Sequence, residues 1–387
     1  MRIESICLGN YRVFRNAELR RLPPMTTVVG ANGSGKSTLF DALSFLKDAL
    51  IQNVAYAVER RGGFRELVSR GESGPISILI RFLEERGSPA VYMLNVIEEK
   101  GRPVVDKELL SIVDKSRDPG LLHLVTVSHG RGSAQIEKEK LKWVEQTVDL
   151  KDPSALAIKG LGQFKEFRAA AELSEQLESW HISDFRVVDA RPSADVGLAE
   201  HLSTRGDNMA RVARFLYEHH ADRFQRILEV MRARVPGVTS IEAKPTVDGR
   251  LVLRFQDGSF KDPFIAQYMS DGTMKMFAYL ILLHDPKPHP LLAVEEPEHQ
   301  LYPALLRELA EEFHDYARRG GQVFVSTHSP EFLNGVKLDE IYWLVKKDGF
   351  ATVRRASESK LLRDLYAEGD LPGALWKQRL FEGAEPR

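Results

Sequence analysis

Gly30-Ala31-Asn32-Gly33-Ser34-Gly35-Lys36-Ser37 fills every fixed position of the pattern G-x-x-x-x-G-K-[ST]. The flanks are those such a loop needs. The compact apolar run Met25–Val29 predicts a strand entering it, and Lys36 to about Leu50 predicts a helix leaving it. Glycines let backbone N–H groups converge on phosphate oxygens. The helix N-terminus adds the positive end of its dipole. In such a loop Lys36 reaches the β- and γ-phosphates of a nucleoside triphosphate, and the Ser37 hydroxyl faces Mg2+. The strand–loop–helix context separates this stretch from a chance glycine-rich turn and makes the fold class α/β.

Two later strand ends also carry polar chemistry. Leu291-Leu292-Ala293-Val294 is continuously apolar, as in a strand covered on both faces, and runs straight into Glu295-Glu296-Pro297-Glu298. In open α/β sheets ligands bind beyond the carboxyl ends of the strands. The first acid, Glu295, suits indirect coordination of Mg2+ through water. The second, Glu296, suits orienting and polarising an attacking water. The same acids would also sit well at the opening of a helix, where the dipole favours negative charge. Val323-Phe324-Val325 ends likewise in Ser326-Thr327-His328, and a histidine there can bond a γ-phosphate or the attacking water. His219, His220, His284, His289 and His299 lack such a frame and read as packing or surface residues. Ser270-Asp271-Gly272-Thr273 precedes an apolar run and, taken alone, is a helix N-cap.

The rest of the chain supports a globular α/β protein. Its 387 residues carry 54 Lys+Arg against 55 Asp+Glu, with 43% hydrophobic residues, which excludes intrinsic disorder. One cysteine excludes a disulfide scaffold; Cys7, in an apolar run, is expected to be a buried reduced thiol in a cytoplasmic protein. No apolar run approaches the ~18–20 residues of a bilayer span, so no membrane partner is expected. From about 76 to 148, ISILIRF, AVYMLNVI, LLHLVTV and SAQIEKEKLKWVEQTVDL predict antiparallel strands with turns such as Glu99-Lys100-Gly101, a β lobe inserted into the main domain. Residues 60–75 read as loop, and 207–234 as one amphipathic helix stopped by Pro236-Gly237. Strands follow near 238–243 and 250–256, and helix, strand, helix and strand then alternate at about 272–284, 290–295, 303–318 and 322–326, the pattern of parallel strands packed by helices. Arg60, Arg61, Arg65 and Arg70 cluster in one loop, and 207–234 holds six arginines against four acids. Such patches can contact phosphates, or simply form solvated faces.

Together these segments resemble the ABC-type ATPase heads of the SMC/RecF/OLD group, and more closely the compact AAA-21/AAA-15 ATPases of bacteria. Leu8-Gly9-Asn10-Tyr11-Arg12-Val13-Phe14 is similar to the family's opening segment, GANGSGKST to its Walker A, and Tyr268-Met269-Ser270-Asp271-Gly272-Thr273 to its signature. VEEPEHQLYP resembles Walker B with the D-loop, and STHSP the H-loop, 32 positions beyond Glu296. The signature has Asp-Gly-Thr for Gly-Gly-Gln, and Walker B has Glu295 for Asp.

The resemblance implies a P-loop ABC-type head with a mixed sheet and an inserted antiparallel β lobe. Its divisions would be an N-terminal ATPase lobe at 1–75, the β lobe with a helical segment at 76–206, and a C-terminal lobe at 207–387. It implies ATP and Mg2+ as cofactors. ATP contacts would come from Arg12, Asn32, Gly33, Ser34, Gly35, Lys36, Ser37 and Thr38, metal contacts from Ser37 and Glu295, and catalysis from Glu296 and His328. Ser270, Asp271, Gly272 and Thr273 would act on the ATP of a second head, in a homodimer or higher oligomer. Only 59 residues follow His328, too few for the TOPRIM nuclease domain of OLD nucleases, so any cutting is expected from a separate effector protein. Several relatives of this compact type gate such effectors in anti-phage defence. A RecF-like DNA-binding repair factor, with nucleic acid as partner by analogy, is one alternative. A scaffold that binds ATP with negligible turnover is another, disfavoured because it has no need of Glu296 and His328.

Overall fold

The computed structural model describes residues 1–84, 87–113, 120–138 and 142–384. The chain forms two compact units, Met1–Trp180 together with Lys337–Arg387, and His181–Val336.

In the first unit, among the described residues, eight strands form one antiparallel sheet. Its order is Phe14–Arg20, Arg2–Tyr11, Ile76–Leu83, Pro89–Glu99, Arg102–Val113, Leu121–Ser128, Arg131–Lys138 and Lys142–Asp149. The inserted strands therefore continue the sheet that the N-terminal strands begin: Arg2–Tyr11 pairs with Ile76–Leu83. A register shift between Ile3 and Ser5 changes which residues of the first strand face inward, so Ile6 and Leu8 are buried. Cys7, expected to be buried, lies on the other face and is only half-buried. Partial burial and the neighbouring Glu18 carboxylate push its thiol pKa up.

The Glu99-Lys100-Gly101 turn forms as expected, with Lys100 and Gly101 both at positive φ (49° and 76°). SAQIEKEKLKWVEQTVDL is a hairpin rather than one run; its residues 139–141 lie outside the described residues. The strand Arg102–Val113 is not announced in the sequence, because Asp106-Lys107-Glu108 interrupts its apolar pattern. Glu108 is nevertheless fully buried and caps the short helix Ala157–Leu161 by accepting the N–H groups of Ala157 and Ile158, with Tyr92 donating its hydroxyl at 3.0 Å.

Burial outweighs those three donors and pushes the Glu108 carboxyl up to about 7. Between about pH 4.5 and 7 the folded chain thus holds a proton that the unfolded chain has released. The stability it confers is present at low pH and falls as pH rises through that window. The wild-type urea midpoint should therefore drop from pH 5 to pH 8 more steeply than that of Glu108→Gln. The gap between their unfolding free energies should change by on the order of 3 kcal/mol. Parallel pH profiles for the two proteins would contradict this account.

Also in the first unit, Met25–Val29 is buried along its whole length and pairs in parallel with Ile341–Lys347, which in turn pairs antiparallel with Phe350–Arg355. The helix Lys36–Ile51 follows, burying Leu39, Phe40, Leu43, Phe45, Leu46 and Leu50 on its apolar stripe. The stretch 60–75 is mostly loop but contains one helical turn, Phe64–Leu67.

In the second unit the expected strands Leu291–Glu295 and Gln322–Ser326 pair in parallel, and His181–Ser183, which the sequence pattern does not announce, pairs in parallel with Leu291–Glu295 as well. The helix Asp271–Leu283 buries every residue from Thr273 to Leu283, which explains an apolar run with no polar face. The stretch 207–234, expected as one helix, is two: Met209–His219 and Ala221–Arg234. His220 leaves the helical conformation (φ −139°, ψ 52°), closing the first helix onto the Leu216 carbonyl and opening the second with its own carbonyl. No Gly or Pro marks that break in the sequence. The two strands expected near 238–243 and 250–256 are present as Val238–Pro245 and Arg250–Asp257, and they pair antiparallel. Among the described residues no helix is long and apolar enough to cross a membrane.

Candidate functional site

The phosphate loop belongs to the first unit. Its glycines are required by contact and conformation. A Cβ on Gly35, at φ +114°, would lie 2.8 Å from Val13 Cγ2, and one on Gly30 would lie 2.6 Å from Ser34 Oγ. Lys36 is only 5% exposed. Its ammonium donates to the carbonyls of Gly30 (3.0 Å) and Ala31 (3.4 Å), so the side chain runs back along the loop that precedes it. Asn32, Gly33 and Ser37 are exposed, Thr38 is half-buried, and Ser34 is buried with no hydrogen-bond partner for its Oγ among the described residues. The Ala31 N–H donates to the Ala384 carbonyl at 2.7 Å, which ties the C-terminal segment to the loop.

Arg12, at φ +50°, pairs with Asp41 on the helix that follows the loop (3.0 Å). Asp41 also receives the Tyr11 hydroxyl at 2.8 Å and Arg61 Nε at 2.7 Å. The opening segment thus meets the phosphate-loop helix through one carboxylate. Of the arginine cluster, Arg60 and Arg61 both pair with Asp48 on the phosphate-loop helix, and Arg70 pairs with Glu66. On the two helices 209–234, Arg214 pairs with Glu218 and Arg234 with Glu308.

The acids, the histidine and the signature segment meet in the second unit. Glu295 ends its strand opposite Ser326. Glu296 turns at φ +44°, a strained left-handed conformation for this residue, while its N–H donates to the Ser326 carbonyl (2.9 Å). That turn sets its carboxylate between two imidazoles, with His328 Nε2 at 3.1 Å from one oxygen and His299 Nε2 at 2.8 Å from the other. Glu298 holds the histidine loop from below: one of its oxygens accepts the His328 N–H (2.6 Å) and the Thr327 hydroxyl (2.8 Å). Lys275 lies buried on the signature helix, and burial pushes its ammonium down to about 8 against the pull of Glu298 and Glu296.

Ser270 caps the helix Asp271–Leu283, its Oγ accepting the Thr273 N–H at 3.2 Å, while Thr273 itself is buried. Asp271 pairs with Arg191 and accepts from Gln300 Nε2 at 3.1 Å. A Cβ on Gly272 would stand 2.7 Å from the Gln300 carbonyl, so only glycine lets the helix start approach the loop beyond the acids. Ser270 and Asp271 remain exposed, as do the aromatic rings of Tyr268 and Tyr302.

Of the expected residues, the structure brings Glu296 and His328 into direct contact and sets Ser270–Thr273 at a capped helix N-terminus. His299, expected to be a packing or surface residue, is exposed and also touches Glu296. Its signal was the three-residue spacing from Glu296, which a turn closes through the His299 N–H on the Glu296 carbonyl. Glu298 and Gln300 were visible as letters, but no local rule assigns them partners 29 to 30 residues away.

Residues 25–334 match the family model described as "AAA domain, putative AbiEii toxin, Type IV TA system". No curated protein matches the chain. Among solved structures, the SmcHead bound to the C-winged helix domain of ScpA is 16% identical, over 92% of this chain and 98% of that one, with a TM-score of 0.56. The Smc head domain with an extended coiled coil bound to the C-terminal domain of ScpA, from Pyrococcus furiosus, is 15% identical, over 95% and 100%, with a TM-score of 0.53. At these identities the likeness concerns the fold, that of the P-loop ABC-type head. The chain belongs to the AAA-21 family of P-loop, nucleotide-binding ATPase domains, built on an SMC-head-like fold.

Proposed function

We propose that this chain hydrolyses ATP to ADP and phosphate with Mg2+, and that two heads close on ATP and part on hydrolysis to gate a separate effector protein in bacterial anti-phage defence. The observation that carries the hydrolytic reading is the Glu296 carboxylate held between His328 and His299 at the end of a buried strand. A general base must be aimed, and Glu296 is aimed by its backbone turn and by both imidazoles. It takes a proton from water while the oxygen adds to the γ-phosphorus and the bond to the bridging oxygen breaks. His328 holds the base and meets the charge growing on the phosphoryl oxygens. Glu298 is a positioning residue, since it fixes the His328 backbone.

The phosphate loop suits the nucleotide: glycines that a Cβ would crowd, an unpartnered buried Ser34 hydroxyl and a cation, Lys36, along the loop. Hard oxygen donors for Mg2+ are at hand in Ser37 and Glu295, both exposed. Bound there, Mg2+ would neutralise phosphate charge. That residues of both units serve one nucleotide follows from the family, as does the contact of Ser270 and Gly272 with the ATP of a second head. The toxin named in the family description and the ScpA domains on the solved Smc heads support a partner-coupled role.

A mixing experiment tests the shared site. Ser270→Arg puts bulk and charge at the exposed signature without touching the phosphate loop, and should abolish turnover. Lys36→Ala should do so from the other side. Mixed with free subunit exchange, the two inactive proteins should regain turnover through one composite site that joins intact halves from both chains. A mixture as inactive as its parents would mean that the sites are not shared.

A further inference from the structure

A second polar cluster in the unit His181–Val336 lies at the other end of the strand that carries the acids. His289 stands two residues before Leu291–Glu295, so the strand's five residues, at ~3.3 Å each, put roughly 15 Å between this cluster and Glu295. One ligand atom from each of His201, Asp285 and His289 lies within 4.8 Å of the others. His201 Nδ1 is 2.7 Å from Asp285 Oδ2. The His289 ring centroid is 5.2 Å from that of His201 and 4.9 Å from that of His181, which is itself buried. Three imidazoles and a carboxylate from three separate segments therefore converge.

We infer that His201, Asp285 and His289 form a metal site for a zinc-class divalent cation, with His181 beside it as the neighbouring imidazole. Donors of a tetrahedral zinc ion, each at ~2.0–2.1 Å, stand roughly 3.4 Å apart, so side-chain rotations of about 1 Å complete the set. An imidazole-rich set with one carboxylate suits zinc, cobalt, nickel or copper and not Mg2+ or Ca2+, which take oxygen donors.

The surroundings are built to hold these groups in place. Asp285 is 3% exposed, and its second oxygen accepts the Lys287 N–H at 2.8 Å. Its carbonyl accepts from Arg223 (3.3 Å) and Arg319 (3.2 Å), and the His289 N–H donates to the Tyr316 hydroxyl (2.6 Å). A bound ion would clamp the start of the strand His181–Ser183, the segment carrying His201 and the connection that feeds the acid strand. Its effect is on the stability of this unit, separate from the chemistry at Glu296.

The test uses the full, tag-free chain stripped with a chelator. Co2+ should bind with the visible d–d absorption of nitrogen and oxygen coordination, one equivalent of Zn2+ should displace it, and Zn2+ should raise the unfolding temperature. His201→Ala and His289→Ala should each lose the cobalt spectrum. Each should weaken Zn2+ binding by more than the ~10–100-fold that loss of a supporting group costs. Far-UV circular dichroism and ATP binding check that each variant is folded. Should a variant fail to fold, diethyl pyrocarbonate labelling of the wild type gives the answer: Zn2+ should protect His201 and His289 while leaving exposed His299 reactive. No cobalt spectrum in the wild type, wild-type Zn2+ affinity in both His201→Ala and His289→Ala, or equal labelling with and without Zn2+ overturns the site.

Discussion

Glu296→Gln protein should bind Mg2+-ATP as tightly as the wild type and turn it over about 10²-fold or more slowly, a loss of roughly 2.7 kcal/mol in transition-state stabilisation. The reason is geometric as well as chemical. Gln keeps the size of Glu296 and can still meet His328 and His299, which sit 3.1 and 2.8 Å from the carboxylate, but it cannot accept a proton from water. Binding contacts should survive while the chemical step fails. The same variant, given ATP, should accumulate a two-head assembly, because closure is no longer undone by hydrolysis. Glu295→Ala should behave differently: it removes an exposed metal-facing carboxylate, so Mg2+-dependent nucleotide affinity should fall first. Kd and kcat for the two variants test this division. Identical phenotypes would show the two roles to be misassigned.

Lys36→Ala should have no detectable ATPase activity and a strongly weakened affinity for ATP, with the fold intact. Its ammonium is a buried point charge on a loop whose remaining contributions are backbone dipoles and the helix N-terminus. Nothing else in the motif supplies a full positive charge to the phosphates. The substitution also removes the bonds to the Gly30 and Ala31 carbonyls, of which the Gly30 one is buried, so some stability should be lost along with the activity. Matching circular dichroism spectra and a nucleotide-binding titration on the purified variant check both halves of the expectation. Turnover at the wild-type level would remove the loop from the site.

Much of the fold was legible because short-range rules govern it. The phosphate loop is contiguous, and its function depends on backbone freedom at specified positions, which glycines announce. Met25–Val29, Leu291–Glu295 and Gln322–Ser326 announced themselves as apolar runs, since both of their faces are covered, whereas the parallel strands His181–Ser183 and Ile341–Lys347 did not. The signature helix showed both its cap, Ser270, and an apolar body that proved buried throughout. Elsewhere a buried carboxyl or a long-range contact replaces the local rule. Glu108 looks like a surface residue and so hid the strand Arg102–Val113, yet it is satisfied by donors about 50 positions away. The break at His220 has no residue signature, and a continuous apolar stripe concealed it.

The sequence by itself determined the α/β class, the phosphate loop and the order of polar strand ends, because each depends on neighbours within a few residues. Only the tertiary structure decided that the first two strands share a sheet with the inserted ones, that Asp41 gathers Tyr11, Arg12 and Arg61, and that His299 and Glu298 join Glu296 and His328. Those arrangements rest on pairings between segments tens of residues apart. The free energy of such a pairing comes from burial and from complementary partners, and a one-dimensional pattern of residue types does not say which partners will meet.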